Sequence, residues 1–381
     1  MPCESLEKFN AVTDRNVLAL QEGKAAGRKV VGQYCIYSPL EIALAAGAIP
    51  VSLCGTKNDS IPAAEAILPR TLCPLIKSSF GFALQDSCPY LAASDIVVAD
   101  ATCDGKKKMY ELLSAYKPVI LLQLPQIQDE DATRYWRNQF AGLARRLEKE
   151  FGVSITNEKL REAIKLTNRL RRALKTVLDL ARHTPSPLSG MEMLSLCFRA
   201  SFMPDYEECI TLLDNIAVEL SNATPETSPA EGPRILLTGV PVGMGSHKVV
   251  QLLESCGARV VCIDNCTCYK KVLLQMNEEN DPLTELAERY LATHCSVMSP
   301  NPHRYEVLKK LTREFAVDAI VDLTWQGCQT YDVESWSVKK FVREELQLPF
   351  LQVVTDYGDG DMEQLRVRTE AFLELLPRVS V

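Results

Sequence analysis

Between residues 30 and 125 the chain alternates short, unbroken apolar runs with segments of helical period. The runs are VVGQYC (30–35), AIPVSLC (48–54), DIVVADATC (95–103) and PVILLQLP (118–125). Strands buried on both faces read this way, apolar throughout rather than at every second residue. PLEIALAAG and KKKMYELLSAY lie between them as helices, so this stretch predicts a parallel sheet covered on both sides. From about residue 130 the texture changes. RYWRNQFAGLARRLEKEFG (134–152) and NEKLREAIKLTNRLRRALKTVLDLARH (157–183) space apolar residues three and four apart among charges, the pattern of long amphipathic helices whose basic side faces solvent. SNATPETSPAEGP (221–233) has the composition of a linker. The first texture then returns, with RILLTGVPV (234–242), ARVVCIDNC (258–266), DAIVDLTWQGC (318–328) and PFLQVVTDY (349–357) as strands. The chain is thus expected to be α/β: an N-terminal lobe (1–127), a helical region (128–220), a linker (221–233) and a C-terminal lobe (234–381). Both lobes place a cysteine after a strand with lysines soon behind it, in ATCDGKKKMY and DNCTCYKKVL, which hints at two distant copies.

Composition narrows the function. Among 381 residues, 46% are hydrophobic and 24% charged, as in an ordinary soluble protein, and the net charge of −7 argues against nucleic-acid binding. MPCESLEKFNAVTDRN has no apolar core of a signal peptide. The uncharged stretch from Ile42 to Cys54 is about half a membrane span and holds Gly and Pro. A cytoplasmic protein that neither enters membranes nor binds nucleic acid is expected.

Fourteen cysteines then demand a reason. In a reducing compartment, metal binding or thiol chemistry is a better default than disulfides. No CxxC pair occurs, which removes zinc ribbons and thioredoxin motifs, and four histidines supply a mixed Cys/His zinc site poorly. Cys35, Cys54 and Cys103 close predicted strands in the first lobe, and Cys266 and Cys328 do so in the second. Ligands of open parallel sheets bind at that edge. Cys73 stands at a helix N-terminus, where the thiolate is favoured, and Cys295 in a loop. Cys197, Cys209, Cys256 and Cys262 read as core residues and Cys3 as a terminal thiol, while Cys54, Cys88 and Cys268 stay open. The remaining six, Cys35, Cys73, Cys103, Cys266, Cys295 and Cys328, are the candidate ligands. Thiolates without histidine select iron–sulfur clusters or zinc. Three per lobe suits two incompletely ligated cubanes facing each other across a cleft. Lys106, Lys107 and Lys108 would then offset the cluster's negative charge, and Gly105 would permit the turn that brings backbone N–H groups near it.

These residues carry a resemblance. GQYCIYSPLEIALAAGA, LPRTLCPLIKSSFGF, ATCDGKKKMYE, DNCT, THCSVMSPN and WQGCQTY resemble motifs of the 2-hydroxyacyl-CoA dehydratase and benzoyl-CoA reductase superfamily, most of all its double-cubane cluster proteins. The similarity covers nearly the whole chain. It implies two flavodoxin-like (Rossmann-like) lobes around the cluster, an oxygen-sensitive cytoplasmic protein, a homodimer, and low-potential electrons delivered by a separate iron–sulfur ATPase. It also implies two [4Fe-4S] units sharing one sulfide, a double-cubane [8Fe-9S] cluster, held by Cys35, Cys73, Cys103, Cys266, Cys295 and Cys328. One position departs: where many relatives have a second cysteine after the Cys295 equivalent, this chain has Val297.

TGVPVGMGSHK (238–248) matches neither G-x-x-x-x-G-K-[ST] nor G-x-G-x-x-G, so Gly243 reads as a turn against the cofactor and the chain is not expected to hydrolyse ATP. Ser38 and Glu41 either line the cleft as proton-transfer groups or simply begin a helix. Two enzymatic readings stand: a reductase of a small-molecule substrate, and a 2-hydroxyacyl-CoA dehydratase subunit with [4Fe-4S] clusters. A non-enzymatic metal-binding or electron-storage protein is the third.

Overall fold

The computed structural model describes residues 3–222 and 232–376. Most of the expected linker, residues 223–231, lies outside the described residues. All eight expected strands are present: β1 (Val30–Tyr34), β2 (Ile49–Leu53), β3 (Ile96–Asp100), β4 (Val119–Leu122), β5 (Arg234–Gly239), β6 (Arg259–Asp264), β7 (Ala319–Trp325) and β8 (Phe350–Thr355). They form two four-stranded sheets, ordered β2-β1-β3-β4 and β6-β5-β7-β8. Every pairing is parallel. Each sheet therefore runs second, first, third, fourth in its own strand order, the flavodoxin-like arrangement. β1, β3, β5 and β7 are buried along their whole length, which explains their unbroken apolar sequence.

This topology corrects the repeat suggested by sequence. ATCDGKKKMY follows the third strand of its sheet, whereas DNCTCYKKVL follows the second strand of the other. By strand order, Cys103 corresponds to Cys328 and Cys54 to Cys266.

The helical region packs on both lobes. Helix Glu130–Phe151 starts where the Asp129 side chain accepts a bond from Ala132 N–H, and stops at Gly152 with φ 67°. Helix Asn157–Asp179, capped by Thr156, buries residues at three- and four-residue spacing from Leu160 to Leu178. It lies against helix Leu40–Ala45 of the first lobe and helices Tyr269–Val272 and Pro282–Leu291 of the second. One hydrophobic core consequently runs through both sheets and the helices between them. Two N-terminal helices, Glu4–Thr13 and Asn16–Ala25, were not signalled by the sequence. Neither has a side-chain N-cap, and the second has no clear apolar stripe.

Phe140 is fully buried at this junction, 4.7 Å from the Trp136 ring and edge-on to Tyr290 at 5.9 Å. Phe140→Ala should cost about 3–5 kcal/mol of stability, read from anaerobic denaturant unfolding. A loss below about 1 kcal/mol would mean that this contact does not hold the regions together.

Candidate functional site

One cavity of about 690 Å³ lies beyond the carboxyl ends of both sheets, and Cys35, Cys54, Cys73, Cys103, Cys266, Cys295 and Cys328 all line it. The six candidate ligands, from six separate chain segments, are thus brought together with a seventh thiol. Cys103, Cys73 and Cys328 are the N-cap residues of helices Asp104–Leu113, Pro74–Gln85 and Gln329–Glu344. Three helix N-termini therefore begin at the cavity, where free N–H groups favour negative charge. Cys35 directly follows β1 with φ 74°, a left-handed conformation uncommon outside glycine. Cys266 lies just past β6, and Cys295 in the loop between helices Pro282–Leu291 and Pro302–Glu314.

The thiols pair, once across the lobes and once within the second. Cys73 sits beside Cys328, and Cys266 beside Cys295. In each pair the neighbouring S–H eases loss of the first proton, and the resulting thiolate opposes loss of the second. Gly327 makes the cross-lobe pair possible. Its φ is 79°, and a Cβ there would strike the Thr71 carbonyl oxygen and crowd the Cys73 amide. Burial raises the Cys35 and Cys103 thiols above the usual value, and Lys106 offsets only part of that rise. Burial works against the Lys106 ammonium in turn, yet Cys35, Tyr110 and Cys103 hold its pKa well above the usual lysine value. Tyr331 adds a hydroxyl 3.8 Å from the Cys295 sulfur.

Several expectations need correcting. Of the three lysines only Lys106 lines the cavity; Lys107 and Lys108 are exposed, and Lys108 pairs with Glu111. Gly105 lines it too, but with no left-handed turn: a Cβ there would crowd the ends of the Ile76 and Leu72 side chains, so its role is close packing. Gly243 is not part of the lining. It packs against Phe198 and Thr56, and its N–H donates to the Ser246 hydroxyl at 3.1 Å. Ser38 does line the cavity, buried, with its hydroxyl 3.2 Å from both Asp100 carboxylate oxygens. Glu41 does not face the cavity. It is fully buried, 2.6 Å from the Arg171 guanidinium, and accepts bonds from Thr167 at 2.7 Å and Tyr290 at 2.9 Å. Burial opposes its ionisation, but Arg171 and Thr167 hold its pKa below the usual carboxylate value.

The remaining cysteines separate cleanly. Cys54 lines the cavity, and burial pushes its thiol up to about 12. Cys268 sits beside Cys197, and both are buried away from it, as are Cys209 and Cys262; Cys88 and Cys256 are half-buried outside the lining. His294, the neighbour of Cys295, is engaged elsewhere, with Nε2 2.8 Å from Asp264. Sequence reasoning missed the cations Arg171, Lys271 and Arg289 on the cavity wall. Their only sequence signal was charge within otherwise apolar helical faces. Among the described residues, no three His, Cys, Asp or Glu side chains converge tightly enough to hold a single metal ion.

Comparison with known proteins bears on this site. A family model described as 2-hydroxyglutaryl-CoA dehydratase, D-component, matches residues 35–376. The Escherichia coli (strain K12) protein named "Putative dehydratase subunit YjiM" is 41% identical, over 97% of this chain and 97% of its own. The (R)-phenyllactyl-CoA dehydratase beta subunit of Clostridium sporogenes is 25% identical over 92% of each chain. A benzoyl-CoA reductase subunit from Thauera aromatica is 21% identical, over 98% of this chain and 96% of its own.

Asp100 gives the site a pH signature. Burial, partly offset by Lys106 and Ser38, pushes its pKa from 3.8 up to about 8. The folded state thus keeps a proton that the unfolded chain releases. The stability Asp100 contributes is full below about pH 4 and is lost as pH rises through about 8. In anaerobic, reduced protein, the unfolding free energy should fall between about pH 5 and 8, and Asp100→Asn should flatten that slope. The same slope in the variant would refute this assignment.

Proposed function

The chain belongs to the 2-hydroxyglutaryl-CoA dehydratase D-component family, and from that premise we propose that it is an iron–sulfur reductase component. One observation carries the reading: six cysteines, three from each lobe, surround a single cavity at the ligand-binding ends of both sheets. All the candidate donors are sulfur, which suits iron–sulfur ligation. They are spread around the cavity rather than gathered at one point, which suits a group of several metals better than a lone zinc. The donor set therefore fits the double-cubane [8Fe-9S] cluster, with Cys35, Cys73, Cys103, Cys266, Cys295 and Cys328 as its ligands. When bound, such a cluster supplies low-potential electrons to a small-molecule substrate.

The chain's own residues set the stage. Lys106 and the three helix N-termini hold positive potential against the thiolates. Ser38 Oγ, between Asp100 and the cavity, can pass a proton from the Asp100 carboxyl to a bound molecule. At the lobe junction Tyr37 and Tyr331 are buried together with Cys73 and Cys295, which limits access of water to those two sulfur atoms. A separate ATPase with its own iron–sulfur cluster would deliver the electrons, and the protein would work as a homodimer in the cytoplasm. No described helix is long and apolar enough to cross a membrane.

A second reading, a dehydratase subunit with a single [4Fe-4S] cluster, is favoured by the dehydratase names of several relatives. Metal content separates the two. Anaerobically purified protein should carry about eight irons per chain on the first reading, and close to four or mainly zinc would sink it. Cys103→Ala should lose most of that iron, whereas Cys197→Ala, in the core, should keep it; equal iron in both variants would overturn the ligand assignment.

Electron supply is tested separately. With no phosphate-binding glycine loop, the chain alone should hydrolyse no ATP, and its low-potential reduction should need both an iron–sulfur ATPase and ATP. Full reduction by a mild donor without that partner, followed spectroscopically, would remove the gated-reductase reading.

A further inference from the structure

Part of the cavity wall carries no candidate ligand and is strongly basic. Arg171, Lys271 and Arg289 all line it. Arg171 and Arg289 are each only 5% exposed. The three are close-knit: the Arg289 guanidinium donates to the Lys271 carbonyl at 2.8 Å and to the Leu274 carbonyl at 2.9 Å. Lys271 Nζ donates to the Ser201 hydroxyl at 2.7 Å. The single carboxylate paired with the group is Glu41, on Arg171. Among the described residues Lys271 and Arg289 hydrogen-bond neutral groups only, so the wall carries more positive than negative charge, an expensive arrangement without an anion.

These cations are not counterions to the six thiols. Cys35 and Cys103 act on Lys106, whereas Lys271 is influenced by burial, Cys197, Arg171, Cys209 and Cys54, and Arg289 by burial, Arg171, Tyr290 and Glu41, with none of the six among them. Beside them the wall is apolar. Ser201 lies next to Phe202, whose ring is 4.9 Å from that of Phe198, and both rings line the cavity with Leu170 and Leu174.

We infer that this wall is a subsite for a small free carboxylic acid, its carboxylate held at Lys271 and Arg289 and its short apolar body against Phe198, Phe202, Leu170 and Leu174. An anion there neutralises the excess charge, and the apolar wall selects a hydrocarbon body over a bare inorganic ion. This deepens the reductase reading by naming a substrate class, and rests on that reading only for the claim that the acid is turned over.

The test is calorimetric titration of anaerobically purified full-length protein with butyrate, and with butyramide as its uncharged counterpart. Butyrate should bind about tenfold or more tightly than butyramide, and Lys271→Met should weaken butyrate by about tenfold or more. Iron-poor Cys103→Ala protein should bind butyrate within about twofold of wild type, because its lost thiol is not in the subsite. Equal affinity for acid and amide, or no butyrate binding by folded, iron-loaded wild type, overturns the subsite and leaves the iron–sulfur reading standing. Selective butyrate binding by wild-type protein that holds no iron supports the subsite and overturns the iron–sulfur reading instead. The acid–amide comparison needs only wild type, so it decides the matter even if Lys271→Met fails to fold.

Discussion

Glu41 is a carboxylate that no water reaches, kept ionised because three parts of the chain each contribute to one network. It stands on helix Leu40–Ala45 of the first lobe. Arg171 and Thr167 reach it from helix Asn157–Asp179, and Tyr290 from the second lobe. Removing one partner of such a buried pair typically costs about 3–5 kcal/mol, because the other charge is left unanswered. The arrangement is therefore a register device: the lobes and helical region can sit only where all these groups meet. The same Tyr290 hydroxyl lies 3.3 Å from the Leu40 amide, and Tyr37 donates to the Thr293 carbonyl at 3.2 Å, so the junction is fixed at several nearby points. The meeting of Cys73 with Cys328 depends on that fixed geometry.

The two sheets share a strand order, and their cysteines can be compared strand by strand. Cys54 and Cys266 follow the second strands, Cys103 and Cys328 follow the third, and Cys73 and Cys295 lie in the connections between them. Only the first strands differ, Cys35 in one lobe against Val240 in the other. The first lobe thus presents four thiols to the cavity and the second three. Environment tells them apart: Lys106 is the cation beside Cys35 and Cys103, whereas Lys271 is the one beside Cys54.

The strands were legible because a doubly buried strand must be apolar at every position, a signal carried in five or six adjacent residues. The cysteines were legible because strand ends mark where a parallel sheet binds its ligand. What escaped depends on partners far along the chain. Nothing in SPLE shows that Arg171 will meet Glu41 through a helix in another region, so a buried ion-pair member reads like a cleft acid. Gly243 likewise read as a turn against the cofactor, although its missing side chain makes room for Phe198 and Thr56. In KKKMY three equal lysines stand on one helical turn, and only the fold decides that Lys106 points inward.

Because Gly327 seats the Cys328 loop against the Cys73 backbone, the thiol set closes only when both lobes exist. A ribosome adding about 5–20 residues per second leaves roughly 10–50 s between emergence of Cys73 and of Cys328. During that interval the first lobe's thiols stand without the partners that later enclose them. On the iron–sulfur reading, the metal cofactor must therefore be loaded after translation, onto a chain whose early cysteines have been kept reduced. Maturation would be a late, whole-molecule event, and a truncated product would hold reactive sulfur but no complete binding site.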